Sequence, residues 1–264
     1  MNNVNKTLYI PLYGKAFVSR KGLFLADPQA EEIWEKEAFA LKGKSRSKWL
    51  AYYMGIRSAV FDCWVKEKLA SANNAAVLHI GCGMDSRILR TGNENARWYD
   101  VDFPEVIRER KKYYDESECY QMIDGDIRNP DFLKNIPAQS RAIVVMEGVS
   151  MYLTAEDMKG FFSALEAHFS EIFLLMDCYT VLAAKISKYK NPINDVGVTE
   201  VYGADDPAVF QTGKLNFIQE HTMTPQAFID ELKGAEKFIF RKLYAGGFAR
   251  KLYRLFEYAK EQAQ

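Results

Sequence analysis

The chain has 264 residues, more than an average domain but ordinary for one elaborated α/β domain. Hydrophobic residues make up 48% and charged residues 27%, which excludes a disordered or low-complexity chain and allows a sizeable core. With 35 Lys and Arg against 35 Asp and Glu the formal charge is zero, so neither nucleic acid nor an anionic membrane is the expected partner.

No run of about 18 apolar residues occurs, and no basic stretch leads into an apolar core and a small-residue cleavage site, so a cytoplasmic protein is expected. Cys63, Cys82, Cys119 and Cys178 are far apart, with no C-x-x-C pair. Four reduced thiols are expected, with neither a disulfide framework nor a metal site.

Helical periodicity dominates the first 72 residues, with apolar positions three and four apart from Ala30 to Ala40 and from Trp49 to Leu69. At Ala75 the pattern changes. AVLHIG is a short apolar run ending in Gly-Cys-Gly, the mark of a buried parallel strand turning into a helix. Strands and helices then alternate: Arg97 to Asp102 reads as a strand, Phe103 to Tyr114 as a helix, Tyr120 to Asp124 and Ala142 to Met146 as strands. Thr154 caps a helix running to about His168, and Glu171 to Asp177 is a fifth strand. Such alternation implies a doubly wound, mostly parallel sheet.

Lys188 to Lys214 shows no sustained period and reads as a long excursion covering a site. Beyond it, Phe217 to Thr222 reads as a strand, and Thr224 with Pro225 as the start of a helix to Leu232. Lys237 to Tyr244 reads as a second closing strand and LYRLFEYAKEQ as a final helix. The expected organisation is one domain: a helical cap (1–72), a binding core (73–180), an insertion on the acceptor side (181–216) and sheet-closing elements (217–264).

Gly81-Cys82-Gly83 after a strand and before a helix would bring backbone amides close to a ligand. A third glycine of the dinucleotide fingerprint is replaced by Ser86, and Asp85 places an acid where a pyrophosphate would lie. A nucleoside ligand without that phosphate is compatible. Asp102, 21 residues after Gly81, can accept from both ribose hydroxyls, with Asp100 as the fallback if the register slips. In Asp124-Gly125-Asp126-Ile127, a carboxylate could accept from an adenine amino group while Ile127 covers the ring. Glu147 ends the fourth strand, beside the first in the usual doubly wound order. Cys82 is expected as a compact filler and His79 as a hydrogen-bonded core histidine, while His168 and His221 form no ligand pair. Tyr179, Tyr189, Tyr202, Phe210 and Phe217 could line an acceptor pocket or pack a cover onto the sheet.

The series YGKA, LADPQA, YYMGIRSAVFD, VLHIGCGMDSRILR, WYDVDFPEVIRERK, GDIRN and MEGVSMYLTAEDM resembles the leucine carboxyl methyltransferase family, from about Leu8 to Leu153. The resemblance implies a class I S-adenosylmethionine-dependent O-methyltransferase, with a Rossmann-like three-layer sandwich whose seven-stranded sheet has one antiparallel strand near its edge. It places Lys15 and Arg57 at the methionine carboxylate, Gly81 and Gly83 at the backbone approach and Asp102 at the ribose. Asp126 and Ile127 fall at the adenine and Glu147 at the methionyl end. A carboxylate acceptor needs no general base; an alcohol or phenol does, and Tyr152 is the candidate. The residues leave both acceptors open, and a protein C-terminal carboxylate beside a small molecule. The alternatives are a nicotinamide-dependent oxidoreductase and a non-catalytic S-adenosylmethionine-binding protein.

Overall fold

The computed structural model of the protein describes residues 8–37, 41, 43–72, 74–92, 95–137, 141–187 and 200–261. Three helices come first: α1 (Tyr9–Arg20), α2 (Pro28–Glu37) and α3 (Lys48–Ala70). The Ser47 side chain accepts from the Trp49 amide and starts α3. The alternating region supplies β1 (Ala76–Ile80), α4 (Arg87–Thr91), β2 (Arg97–Asp102), α5 (Pro104–Arg110) and β3 (Tyr120–Asp124). It continues with β4 (Arg141–Met146), α6 (Ala155–His168) and β5 (Glu171–Tyr179). After these come α7 (Val181–Ser187), β6 (Asn216–His221), α8 (Gln226–Glu231), α9 (Gly234–Leu243), α10 (Gly246–Arg250) and β7 (Tyr253–Lys260).

The strands form one sheet in the order β3-β2-β1-β4-β5-β7-β6. β1 to β5 pair in parallel, and β7 runs antiparallel between β5 and β6. This is the expected mostly parallel sheet with one reversed strand near an edge. Successive strand residues face opposite sides. Val77, Val145 and Leu175 therefore pack with Ile56, Phe61 and Val65 of α3, while Leu78, Val144 and Leu174 pack with Phe161, Phe162 and Leu165 of α6. Thr154 caps α6 as expected, in a reciprocal pair with Asp157. Strand order reverses at β1 and β4, and a crevice opens outside their carboxyl ends. Among the described residues, no helix is long and apolar enough to cross a membrane.

The carboxyl-terminal elements correct the sequence reading. Lys237 to Tyr244, expected as a strand, lies mostly in α9; LYRLFEYAKEQ, expected as a helix, contains β7. In β7, Leu255 faces the α3 side and Phe256 and Tyr258 the α6 side. A strand covered on both faces has no polar side, so its apolar spacing passes for helical. Conversely, the alternating phenylalanines of KFIFRKLY imitate a strand, yet Phe238 is exposed and Phe240 buried on a helix. Helix α8 begins one residue later than expected, with Pro225 rather than Thr224 at its N-cap.

Candidate active site

The loop after β1 turns through two glycines in the left-handed region, Gly81 (φ 63°) and Gly83 (φ 53°). The Gly81 amide donates to the Val101 carbonyl at 2.8 Å, which ties the loop to β2. The Gly83 amide donates to Asp102 Oδ2 and the Phe103 amide to Asp102 Oδ1, both at 2.8 Å. Burial lifts the Asp102 carboxyl to about 6 against the pull of these two amides. Asp102 lines the crevice.

The fallback at Asp100 is excluded by its enclosure. It shares the strand face of Asp102 but lies deeper and outside the cavity lining, its carboxylate accepting from Trp98 Nε1 (2.9 Å), Arg110 Nη2 (2.5 Å) and the Tyr120 hydroxyl (2.6 Å), with His79 Nδ1 at 3.0 Å. Burial would raise its carboxyl, but Arg110 and the bonds from His79 and Tyr120 outweigh it and hold it at about 2. His79 is thus the core histidine expected, and burial likewise pushes the Cys82 thiol up, away from nucleophile chemistry.

Beneath the glycine loop runs a buried chain of ion pairs. Lys15 meets Asp85 at 3.1 Å; Asp85 also meets Arg90 at 3.0 Å and Arg87 at 3.2 Å. Arg90 reaches Asp27 and Asp62 at 2.6 Å, and Arg87 reaches Asp62 at 2.8 Å and pairs closely with Glu147. Arg57 then donates from Nε to Glu147 at 2.9 Å and from Nη1 to the Tyr253 hydroxyl at 3.0 Å, and it pairs with Asp177 at 3.0 Å. The Tyr253 hydroxyl and the Gly148 amide both donate to Asp177 at 2.8 Å. Burial alone would raise Glu147, yet Arg57 and Arg87 hold it at about 2.

Two of the site's charges have protein partners of their own. Lys15 pairs with Asp85, and Arg57 with Glu147 and Asp177. Asp85 is not a bare acid repelling phosphate, because three cations hold it well below the usual carboxylate range against its burial.

Sequence reasoning missed Asp27, Asp62, Arg87, Arg90, Asp177 and Tyr253. Asp177 was within reach, since it stands near the carboxyl end of β5 as Glu147 does after β4. Tyr253 was hidden by its misassignment to a helix.

The crevice is a cavity of about 910 Å³, lined by Lys15, Arg57, Gly81, Gly83, Asp102, Asp126, Ile127, Glu147 and Tyr152, so the expected site residues converge on one space. At one end Asp126 faces it with its carboxylate engaged by Arg128, whose Nε donates at 2.9 Å and whose backbone amide donates at 3.0 Å. The adjacent Asp124 is exposed and lies outside the lining. The other end is apolar, formed by Tyr53 and Met54 of α3, Tyr179, Ile186 of α7, and Leu243, Tyr244 and Phe248 of α9 and α10.

Of the segment from Ile186 to Asn216, expected on the acceptor side, residues 188–199 lie outside the described residues and the rest divides. Ile186 and Ser187 line the cavity, whereas residues 200–216 do not; Phe210 and Leu215 are buried in the core on the α6 side. Tyr202 is exposed, Phe217 packs against Phe256 and Tyr258, and Tyr189 lies outside the described residues. Of the five aromatic candidates, Tyr179 alone among the described residues faces the cavity.

A glycine turn, an acid at the end of the second strand and a crevice at the switch point of this sheet define a class I S-adenosylmethionine-dependent methyltransferase. The fold agrees with that of magnesium protoporphyrin IX methyltransferase from Synechocystis PCC 6803, solved with bound S-adenosylhomocysteine (TM-score 0.51, 11% identity, 88% of this chain and 94% of that one). The leucine carboxyl methyltransferase family model matches residues 3–166, and the chain belongs to that family. It is 26% identical over 243 residues, 90% of each chain, to the tetracenomycin polyketide synthesis O-methyltransferase TcmP of Streptomyces glaucescens. It is also 26% identical over 184 residues to the S-adenosyl-L-methionine-dependent methyltransferase dpfgK of Gibberella zeae, covering 64% of this chain and 62% of that one. The protein is an S-adenosylmethionine-dependent O-methyltransferase, and the oxidoreductase and non-catalytic alternatives are not favoured.

Proposed function

We propose that the enzyme methylates an oxygen of a small, largely apolar acceptor held in the lobe between α3, α7 and the α9–α10 pair. The carrying observation is the shape and lining of the cavity: one end presents Asp102, Asp126 and Ile127, the other an apolar surface, and Lys15, Arg57 and Glu147 lie in the same wall. These residues fit S-adenosylmethionine by donor chemistry. Asp102 would accept from the ribose hydroxyls, Asp126 from the adenine amino group with Ile127 over the ring, Glu147 would face the amino group and Lys15 with Arg57 the carboxylate.

When bound, S-adenosylmethionine supplies a methyl group on a cationic sulfur. The protein's part is alignment and exclusion of water, which the apolar lobe performs. An ionised carboxylate acceptor needs no proton acceptor; for a hydroxyl acceptor, Tyr152 in the cavity wall is the candidate base. The four free thiols accord with a reducing, cytoplasmic setting. The relative from Streptomyces supports a small-molecule acceptor rather than a protein tail. A screen of aromatic acids, phenols and a C-terminal peptide with labelled methyl donor tests this. Transfer to the peptide alone would overturn it.

Two results are expected. Phe248, which is 59% exposed at the rim of the apolar lobe, should act on acceptor affinity alone: Phe248→Ala raises acceptor KM several-fold and leaves cofactor Kd unchanged. Because burial holds Asp102 at about 6, acidification below pH 6 protonates the ribose acceptor before the cofactor arrives. Cofactor affinity, followed by calorimetry from pH 8 to 5, should be flat above about 7 and fall below 6. Asp102→Asn should flatten that profile.

A further inference from the structure

The ion-pair chain beneath the glycine loop has an odd number of charges. Its carboxylates are Asp27, Asp62, Asp85, Glu147 and Asp177, and its cations are Lys15, Arg57, Arg87 and Arg90. All nine side chains are at most 7% exposed. Among the described residues, the neighbouring groups do not supply the missing cation. Burial lowers His79 and keeps it neutral, Asp100 and Arg110 cancel each other, and Asp102 stands outside the chain, its carboxylate held by the Gly83 and Phe103 amides.

We infer that this network distinguishes the methyl donor from its demethylated product by charge, the donor's sulfonium supplying the positive charge that the buried side chains lack. The inference rests on the cofactor reading given above. S-adenosylmethionine carries an ammonium, a carboxylate and a sulfonium, hence one net positive charge; S-adenosylhomocysteine carries only the first two and is neutral. In the reaction, an acceptor oxygen lone pair forms the new carbon–oxygen bond while the sulfur–methyl bond breaks and its electron pair stays on sulfur. An anionic acceptor becomes a neutral ester with no proton lost. The product cofactor then faces one uncompensated buried negative charge, so its release is favoured.

The excess falls at the Asp177 end, just behind the cavity wall. Among the described residues, Asp177 pairs with one cation, Arg57, which it shares with Glu147. The groups around it are Arg57 and Tyr53 of α3, Glu147 and the Gly148 amide after β4, Tyr179 of β5 and Tyr253 of β7. Burial pushes its carboxyl up, and Arg57 opposes this while Glu147 adds to it. With the neutral product bound, a proton can take the place of the missing cation.

Calorimetry on the whole protein tests this with three ligands. S-adenosylmethionine and sinefungin, whose amine stands in for the sulfonium, should each bind at least about tenfold tighter than S-adenosylhomocysteine at pH 8, the effect of one unit charge about 10 Å away at an effective dielectric of about 20. Lowering the pH should narrow the gap. Asp177→Asn, which removes the excess charge, should bring the three affinities within about threefold. If that variant does not fold, the wild-type comparison across pH decides. Equal or tighter binding of S-adenosylhomocysteine by the wild type at pH 8 would overturn the inference and leave the cofactor reading standing. Failure of all three ligands to bind would overturn both.

Discussion

Replacing Arg57 by methionine is expected to cost about 3–5 kcal/mol of stability and to weaken cofactor binding by about 100-fold or more. The stability loss follows from the partners left behind. Glu147 and Asp177, 4% and 0% exposed, would lose the guanidinium that lies between them; Glu147 keeps Arg87, but Asp177 is left a buried carboxylate without a cation, far costlier than the loss of one hydrogen bond. Against a typical total of about 5–15 kcal/mol this is a large fraction. The pH dependence should also change. In the wild type Glu147 is held at about 2, below its ordinary 4.5, so it contributes stability above pH 4.5 that is lost as pH falls toward 2. Without Arg57, Glu147 keeps Arg87 and is held down less, while Asp177 loses the cation that opposes its burial and is raised further, so its contribution is present in acid and lost as pH rises. Thermal melts at pH 5 and 7 should show the variant gaining more on mild acidification than the wild type, which already gains through the raised Asp102. Arg57→Lys, which keeps the charge but not the fork, should lose less in both respects. An Arg57→Met protein that melts and binds like the wild type would place the charge compensation elsewhere.

The second large effect is expected at Gly81. Its φ of 63° alone costs an alanine about 1–2 kcal/mol. An added Cβ would also lie 2.4 Å from Val149 Cγ2, a stiff β-branched side chain in the cavity wall, so overpacking adds about 1–3 kcal/mol. Relief by moving Val149 would disturb the loop between Glu147 and Tyr152. Gly81→Ala should therefore destabilise by about 2–5 kcal/mol and reduce cofactor affinity together. The pair Gly81→Ala with Val149→Ala separates the two causes: it should recover the overpacking part and leave the backbone part. Full recovery in the double variant would mean that the left-handed backbone carries no cost.

Much of the cofactor half of the site was legible because its signals are local. Gly81 and Gly83 are demanded by a turn of a few residues, Asp102 by the end of the same βαβ unit, and Thr154 by the start of one helix. These choices depend on backbone geometry within about 20 residues, which sequence spacing encodes. Alternation sends Tyr99 and Val101 to the α6 side and both Asp100 and Asp102 to the other, and what separates the two acids is their place along the strand, Asp102 at its carboxyl end in the cavity wall and Asp100 enclosed in the core.

The acceptor half and the carboxyl-terminal order were not legible, and the reason is distance along the chain. β7 pairs with β5 across more than 70 residues, and only that pairing makes an extended strand of LYRLFEYAKEQ, whose apolar spacing alone suits a helix. The sequence by itself determined the fold class, the family and the set of residues that meet in the cavity. What tertiary structure decided was the company they keep: Arg57 finds Glu147 90 residues away and Tyr253 196 residues away. A buried charge takes its protonation and its ligand preference from every neighbour in a low-dielectric space, and those neighbours are brought together only by the folded sheet.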